Sequence, residues 1–256
     1  MKRFAVVTLF PDAIDCWLQA SVVGRARGRA FDVLYVNPRD FAKDRYRSVD
    51  DYMFGGGPGM LMRYDVLKPA LDHAKTLVQN PLVLALSAGG KVLNQEMCTI
   101  LSSYEGDIVL LCGHYEGMDD RIFDHVDLEV SVGDYVLSGG ELGAAVIMET
   151  VIRLLPGFVE KSDNVRKESF TNNLLEEPQF TRPREYEGKE VPEVLLSGHH
   201  QRIELWKKEQ RIKRTLVQRP DLLTSAKLEP MDLQILRRVL TDMEKVKKAI
   251  FGEQSN

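Results

Sequence analysis

The sequence predicts an α/β fold built on a parallel sheet, followed by a small helical domain. Three observations point there. Through the first 155 residues, short Val-, Leu- and Ile-rich segments alternate with helix-like stretches. Those short segments are almost continuously apolar, as strands covered on both faces must be. Beyond residue 160 the alternation stops and proline-punctuated, then helical, patterns replace it. At 256 residues, 44% hydrophobic and 28% charged, the chain has material for one large or two modest domains. That excludes a disulfide-stapled miniprotein, a low-complexity chain and a collagen-like fibre.

Taken in order, Phe4 to Phe10 reads as the first strand and Ala13 to Arg27 as the first helix. Phe31 to Val36 is the next strand. A mixed-charge run from Arg39 to Asp51 leads into the glycine-rich loop Gly55-Gly56-Gly57-Pro58-Gly59-Met60. Asp65 to Gln79 reads as a helix, Leu82 to Leu86 as a strand, Asn94 to Ser103 as a helix and Ile108 to Cys112 as a strand. Met118 to His125 and Val126 to Ser131 close the alternation as helix and strand. Ser138-Gly-Gly-Glu141 has capping-box spacing ahead of a helix over Leu142 to Leu155, and Pro156-Gly157 stops it with Arg153 in its last turn. Residues 161–173 are polar and aperiodic, the pattern of an interdomain linker. Pro178, Pro183 and Pro192 then precede helices over Gly198 to Gln218 and Met231 to Phe251. Ile203, Trp206, Ile212 and Leu216 are spaced to form a buried stripe on the first of these. The predicted domains are therefore 1–160, with 161–173 as linker, and 174–256. No internal repeat is visible.

The longest apolar runs fall far short of the roughly 20 residues of a membrane crossing. The start of the chain shows no secretory h-region or cleavage site, so a cytoplasmic protein with no membrane partner is expected. Cys16, Cys98 and Cys112 are odd in number and lack C-x-x-C spacing, which suits a reducing compartment and small buried side chains rather than zinc or disulfides. Neither G-x-G-x-x-G nor G-x-x-x-x-G-K-[ST] occurs, which removes the ordinary dinucleotide fold and the P-loop. H-E-x-x-H, G-x-S-x-G and paired Cys/His spacings are also missing, and no metal ligands are expected. Charge is unevenly placed. Residues 1–160 hold 15 Lys and Arg against 22 Asp and Glu, net −7, and residues 161–256 hold 19 against 16, net +3. Between Arg202 and Arg219 seven basic residues face two acids, an excess that suits phosphates or, equally simply, a solvated helix face.

Three glycine-bearing turns directly follow predicted strands: Leu86-Ser87-Ala88-Gly89-Gly90, Leu111-Cys112-Gly113-His114-Tyr115-Glu116-Gly117 and Ser131 to Glu141. Ligands of open α/β sheets bind beyond the carboxyl ends of the strands, where the three would converge on one pocket. Glycines there allow close approach of backbone groups, Glu116 can accept from hydroxyls or an ammonium, and Tyr115, Tyr135 and Leu137 offer apolar contact. Each turn alone is also compatible with a plain tight βα connection. The loop Gly55 to Met60 can form an amide nest, a flat floor under a base, or a surface loop.

Taken together, Phe10-Pro11, Gly55 to Met60, Cys112-Gly113-His114-Tyr115-Glu116-Gly117, Val132 to Glu141 and Thr181-Arg182-Pro183 resemble the bacterial tRNA (guanine-N1)-methyltransferases of the SPOUT class, in the right order over the whole chain. The resemblance implies a trefoil-knotted parallel sheet, a homodimer, and methylation of N1 of the guanosine 3′-adjacent to the tRNA anticodon, position 37, where the preceding nucleotide is guanosine. S-adenosylmethionine is the implied methyl donor and tRNA the implied partner. Magnesium is also implied, with no ligand cluster to place it. Leu86 and Ser87, then Gly113, Tyr115 and Glu116, then Val132, Gly133, Asp134, Tyr135, Val136, Leu137, Gly139 and Gly140 correspond to the three donor-holding loops of the family. Glu168 and Arg153 correspond to its catalytic pair, and the C-terminal domain to its tRNA-binding part. Guanine N1 bears a proton and is a poor nucleophile, so attack on a sulfonium methyl needs a general base and a cation near O6. Glu168 suits the first role and Arg153 the second. The chain departs from the family pattern at Glu168, usually Asp, at Ala88-Gly89, usually Pro-Gln, at Asn173, commonly Gly, and at Phe180, commonly Tyr. The rival readings are a SPOUT ribose 2′-O-methyltransferase and a non-catalytic RNA-binding protein.

Overall fold

The computed structural model describes residues 1–158 and 168–251. Two compact units divide the chain, Met1–Lys161 and Ser162–Asn256.

The first unit is a five-stranded, all-parallel sheet: β1 (Lys2–Val7), β2 (Phe31–Val36), β5 (Leu82–Val92), β6 (Ile108–Cys112) and β7 (Leu128–Ser131), in the order β2-β1-β6-β5-β7. Alternate residues of one strand point to opposite faces, and both faces are buried. Phe4, Val6, Leu84, Ile108 and Leu110 pack on one face with Ile14 and Leu18 of α1 (Pro11–Leu18), with Met97 of α4 (Gln95–Ser103) and with Ile147 and Met148 of α5 (Glu141–Ile152). Ala5, Val7, Val83, Val109 and Leu111 pack on the other with Val66, Leu67 and Leu71 of α3 (Tyr64–Thr76). β6 is buried at every position, which is why it reads as an unbroken apolar run. Each such Leu or Ile stabilises the unit by roughly 1.5–3 kcal/mol.

Several boundaries differ from the sequence expectation. β1 ends at Val7, because Thr8 leaves the sheet and its side chain accepts from the Phe10 amide at 3.0 Å; Pro11 then starts α1. The single helix expected over 13–27 is two, since the chain breaks at Gln19-Ala20 before α2 (Ser21–Ala26). The turn expected after Leu86 is a bulge: both Leu86 and Lys91 pair with Val130, so residues 87–90 loop out and β5 resumes to Val92. The helix expected over Met118–His125 is a 3₁₀ segment, Asp120–His125. The capping box does not form. Gly140 is the N-cap of α5, Ser138 makes no cap bond, and Glu141 turns inward to accept from Thr8 Oγ1 at 2.8 Å. Cys98 and Cys112 are buried as expected, but Cys16 is exposed. Two residue pairs, β3 (Asp50–Asp51) and β4 (Leu61–Met62), form a small antiparallel ladder.

The second unit holds the short antiparallel ladder of β8 (Glu185–Tyr186) and β9 (Lys189–Glu190), then α6 (Glu193–Leu196), α7 (His200–Gln218), α8 (Pro220–Leu223) and α9 (Pro230–Phe251). Ile212 of α7 meets Ile235 and Val239 of α9, with Leu216 packed against them. Thr215 is fully buried beside this stripe. Of the predicted linker, residues 161–167 lie outside the described residues. Residues 168–173 are tied to the helical body: Asn173 Nδ2 donates to the Ser225 carbonyl at 3.0 Å, the Asn172 carbonyl accepts from the Lys227 amide at 3.3 Å, and Ser169 Oγ accepts from the Glu176 amide at 3.0 Å.

Candidate functional site

The bulge of β5 and the loops leaving the carboxyl ends of β6 and β7, on three adjacent strands, enclose a cavity of about 410 Å³. Parallel strands all end on the same side, so this convergence follows from topology. The β5 bulge supplies Leu86, Ser87, Ala88 and Gly89; the loop after β6 supplies Gly113 through Gly117; the loop after β7 supplies Val132, Gly133 and Tyr135 through Gly140. Every predicted donor-loop residue lines the cavity except Asp134, which is exposed in the same loop and outside the lining.

The loops brace one another through their backbones. The Gly113 carbonyl accepts from the Gly140 amide at 2.8 Å, and His114 bridges to Gly139. Gly140 is obligatory by proximity, since a Cβ there would lie 2.8 Å from Cys112 Cα. Gly133 takes a φ of +147°, where side chains are disfavoured, and a Cβ there would also have to displace the exposed Tyr135 ring, 2.5 Å away. The Tyr135 hydroxyl in turn donates to the Val132 carbonyl at 3.0 Å, which holds the ring over its own loop. The segment Met60 to Met62 runs beneath the second loop. There the Met60 carbonyl accepts from the Glu116 amide at 3.0 Å and the Gly117 carbonyl accepts from the Met62 amide at 2.9 Å. The glycine-rich loop ahead of it does not line the cavity, and its Tyr52 and Phe54 are exposed.

Charge in this lining is sparse. Among the described residues Glu116 is its only carboxylate, and neither Lys nor Arg contributes. Burial pushes the Cys112 thiol well up, and the Glu141 charge adds to this, so Cys112 behind the cavity is a neutral packing group. Burial and the Asp50 carboxylate raise the Tyr115 hydroxyl, which therefore stays protonated. Among the described residues no group of three or more His, Cys, Asp or Glu gathers to hold a metal ion. No described helix is long and apolar enough to cross a membrane.

Arg153 caps the C-terminal end of α5 and is exposed, in the first unit. Glu168 is half-buried and belongs to the second unit. His114, named in the second turn, lines the cavity, held between the rings of Phe10 at 5.0 Å and Tyr115 at 5.1 Å, with its buried Nδ1 unbonded. Sequence reasoning missed contributors outside the three turns. Met118 and Phe123 close the side nearest the 3₁₀ segment, and Gly143 of α5 admits Leu86, whose Cδ1 would lie 3.0 Å from a Cβ there. A glycine inside an otherwise apolar helix was the readable sign of that last contact.

The basic helix also has a definite arrangement. Lys207 and Arg211 both pair with the buried Glu177, at 3.5 and 2.6 Å. Lys208 pairs with Glu229 at 2.8 Å, Lys213 with Glu209 at 2.7 Å and Arg219 with Asp221 at 2.7 Å. Much of the local excess is thus balanced within the unit.

Comparison with known proteins agrees with this geometry. The family described as "tRNA (Guanine-1)-methyltransferase TrmD" matches residues 1–225. A tRNA (guanine-N(1)-)-methyltransferase from Coprothermobacter proteolyticus is 99% identical over 256 residues, all of both chains. One from a Sulfurihydrogenibium species is 43% identical over 94% of this chain and 95% of its own. Another, from Ruminiclostridium cellulolyticum, is 48% identical over 86% of this chain and 95% of its own. The family match over residues 1–225 and the 99% identity over the full chain show that the chain, with its parallel sheet and loop-built cavity, belongs to the tRNA (guanine-1)-methyltransferase family.

Proposed function

We propose that this chain transfers a methyl group from S-adenosylmethionine to N1 of the guanosine 3′-adjacent to the tRNA anticodon, position 37, where a guanosine precedes it. Membership of the family makes the chain a tRNA (guanine-N1)-methyltransferase; the donor, the position and the residue roles are proposed. One observation carries the choice of donor: a cavity of about 410 Å³ whose lining, among the described residues, holds the Glu116 carboxylate and no Lys or Arg. The size suits a small-molecule site, roughly 300–1,000 Å³. Phosphates would find no countercharge among those described residues, whereas a sulfonium with an ammonium and ribose hydroxyls is matched by Glu116 and by backbone carbonyls.

Leu86, Val132, Tyr135 and Leu137 supply apolar walls for a purine, and the glycine-bearing loops let backbone groups approach its edge. The backbone bond from Gly140 to Gly113 keeps two of the loops in register, so the cavity is shaped before anything enters it. Bound there, the donor supplies an electrophilic methyl on a positively charged sulfur. Glu168 takes the N1 proton as general base, and Arg153 holds the negative charge that gathers on O6 as that proton leaves. Glu168 is one methylene longer than the Asp usual in the family. The expected helical domain, residues 174–256, within the second unit, is the tRNA-binding part.

A homodimer and a trefoil knot complete the proposal. α5 is apolar nearly all round, the pattern of a helix covered on every side. Leu142 is nevertheless 64% exposed and Val146 43%, and Trp17 of the adjoining α1 is 57% exposed. A second copy covering this surface accounts for the mismatch. The expected compartment is the cytoplasm, where tRNA is modified; magnesium is the expected ion, with no ligand cluster among the described residues to place it. The test is incubation of an unmodified tRNA transcript with methyl-labelled S-adenosylmethionine, followed by nucleoside analysis. 1-Methylguanosine is expected at position 37. Ribose-methylated nucleosides alone would reject the reaction.

A further inference from the structure

We propose that an open groove on the helical unit seats one unpaired nucleotide of the substrate RNA, its base on Phe180 and its phosphate at Lys213 and Arg214. The proposal rests on the reading that RNA is the substrate and goes beyond it by naming the subsite. The groove, about 610 Å³, lies between the segment Pro178 to Phe180 and α7. Gln210, Lys213, Arg214, Val217 and Gln218 line it at spacings of three, four, seven and eight residues, one continuous face of the helix.

Its floor is apolar yet open: Phe180 is 48% exposed and Val217 68%. Trp206 stands behind Phe180 with ring centroids 6.4 Å apart, so the platform is backed rather than loose. Its walls are cationic in a way the rest of the helix is not. Arg214 meets no carboxylate among the described residues; it donates to Gln218 Oε1 at 3.2 Å and to the Glu176 carbonyl at 3.3 Å, both neutral. Lys213 shares its partner, since Glu209 also accepts from Arg238 at 2.6 Å. One carboxylate thus serves two cations; the Glu176 carboxylate accepts from Gln179 Nε2 beside the groove, and among the described lining residues two cations stand with no acid, so the lining itself is positive. An exposed ring beside uncompensated cations is the combination that takes a base and its phosphate together. A base inside a duplex has both faces covered, so the occupant must be unpaired.

Two variants separate the parts. Phe180→Leu keeps apolar volume but removes the π-face; Arg214→Gln keeps a hydrogen-bonding side chain but removes the charge. Dissociation constants for an unmodified tRNA transcript and for a single-stranded RNA hexamer are measured across salt concentrations on the full-length protein. Thermal melting checks the fold, and calorimetry with S-adenosylmethionine checks the first unit. Phe180→Leu is expected to weaken both RNAs by about tenfold, with Phe180→Tyr near wild type. Arg214→Gln is expected to lower the slope of log affinity against log salt by roughly 0.7 for the hexamer. Donor affinity should not move. Wild-type affinity and an unchanged slope in both variants would overturn the subsite, as would equal losses for Phe180→Leu and Phe180→Tyr. Failure of methyl transfer with these binding changes intact would instead strike the catalytic reading alone.

Discussion

Replacing Gly140 with alanine tests the way the three loops are held together. The new Cβ would lie 2.8 Å from Cys112 Cα and 3.1 Å from both Cys112 Cβ and the Gly113 nitrogen. Carbon atoms prefer about 3.5–4.0 Å, so something must move by roughly an ångström. The neighbours are the end of β6, a strand buried at every position and paired on both sides, which cannot yield locally. The third loop must therefore swing away, stretching the bond of 2.8 Å from the Gly140 amide to the Gly113 carbonyl. Overpacking of this kind costs about 1–3 kcal/mol, and about 2 kcal/mol lowers the melting temperature of a unit this size by roughly 4–8 °C. Gly89→Ala is the control, because its Cβ would meet only Ser87 Oγ at an ordinary 3.8 Å. Differential scanning calorimetry and donor titration on both variants decide the matter. Gly140→Ala is expected to lose stability and at least tenfold in donor affinity, and Gly89→Ala to keep its stability. A Gly140→Ala protein that melts and binds like wild type would refute the argument that this contact sets the cavity's shape.

Further outcomes follow from other contacts. Glu168→Gln should keep tRNA and donor affinity but lower single-turnover methylation by about 10²–10⁴-fold; undiminished turnover would remove Glu168 from the chemistry. Thr8→Val leaves the inward-turned Glu141 without its donor at 2.8 Å and should cost about 1–3 kcal/mol in urea unfolding, with Thr8→Ser recovering most of it. Arg211→Met leaves the buried Glu177 carboxylate with Lys207, at 3.5 Å, as its remaining cation among the described residues; about 2 kcal/mol is expected, below the 3–5 kcal/mol of a fully buried pair because Arg211 is 21% exposed. Burial pushes the Glu177 carboxyl up, but the Arg211 hydrogen bond and the Arg211 and Lys207 charges outweigh it, so the net shift is down. A carboxyl lowered on folding adds stability above its ordinary value near 4.5, which is lost as pH falls through the lowered one. Acid unfolding of the helical unit should therefore steepen below pH 4.5 in wild type and flatten in Glu177→Gln.

Local pattern made much of this protein readable in advance. Ile108 to Cys112 could be nothing but a doubly covered strand, and glycines set directly after three such strands marked where a ligand would meet the sheet. Both inferences depend only on near neighbours in the chain. Where local cues misled, a distant group had intervened. Ser138 and Glu141 have the spacing of a capping box, yet Thr8, more than a hundred residues earlier, draws Glu141 into the interior. The glycines after Leu86 look like a turn, yet pairing of Val130 with both Leu86 and Lys91 makes them a bulge.

The same division explains the basic helix. Composition determined that α7 would be cationic, and helical spacing that some of its cations would share a face. Which of them keep their charge uncompensated depends on Glu177, Glu229 and Glu209, brought alongside by the packing of the second unit. Periodicity is a property of a segment and survives in the bare sequence. Charge balance, strand register and the enclosure of a cavity arise between segments, and only the folded chain decides them.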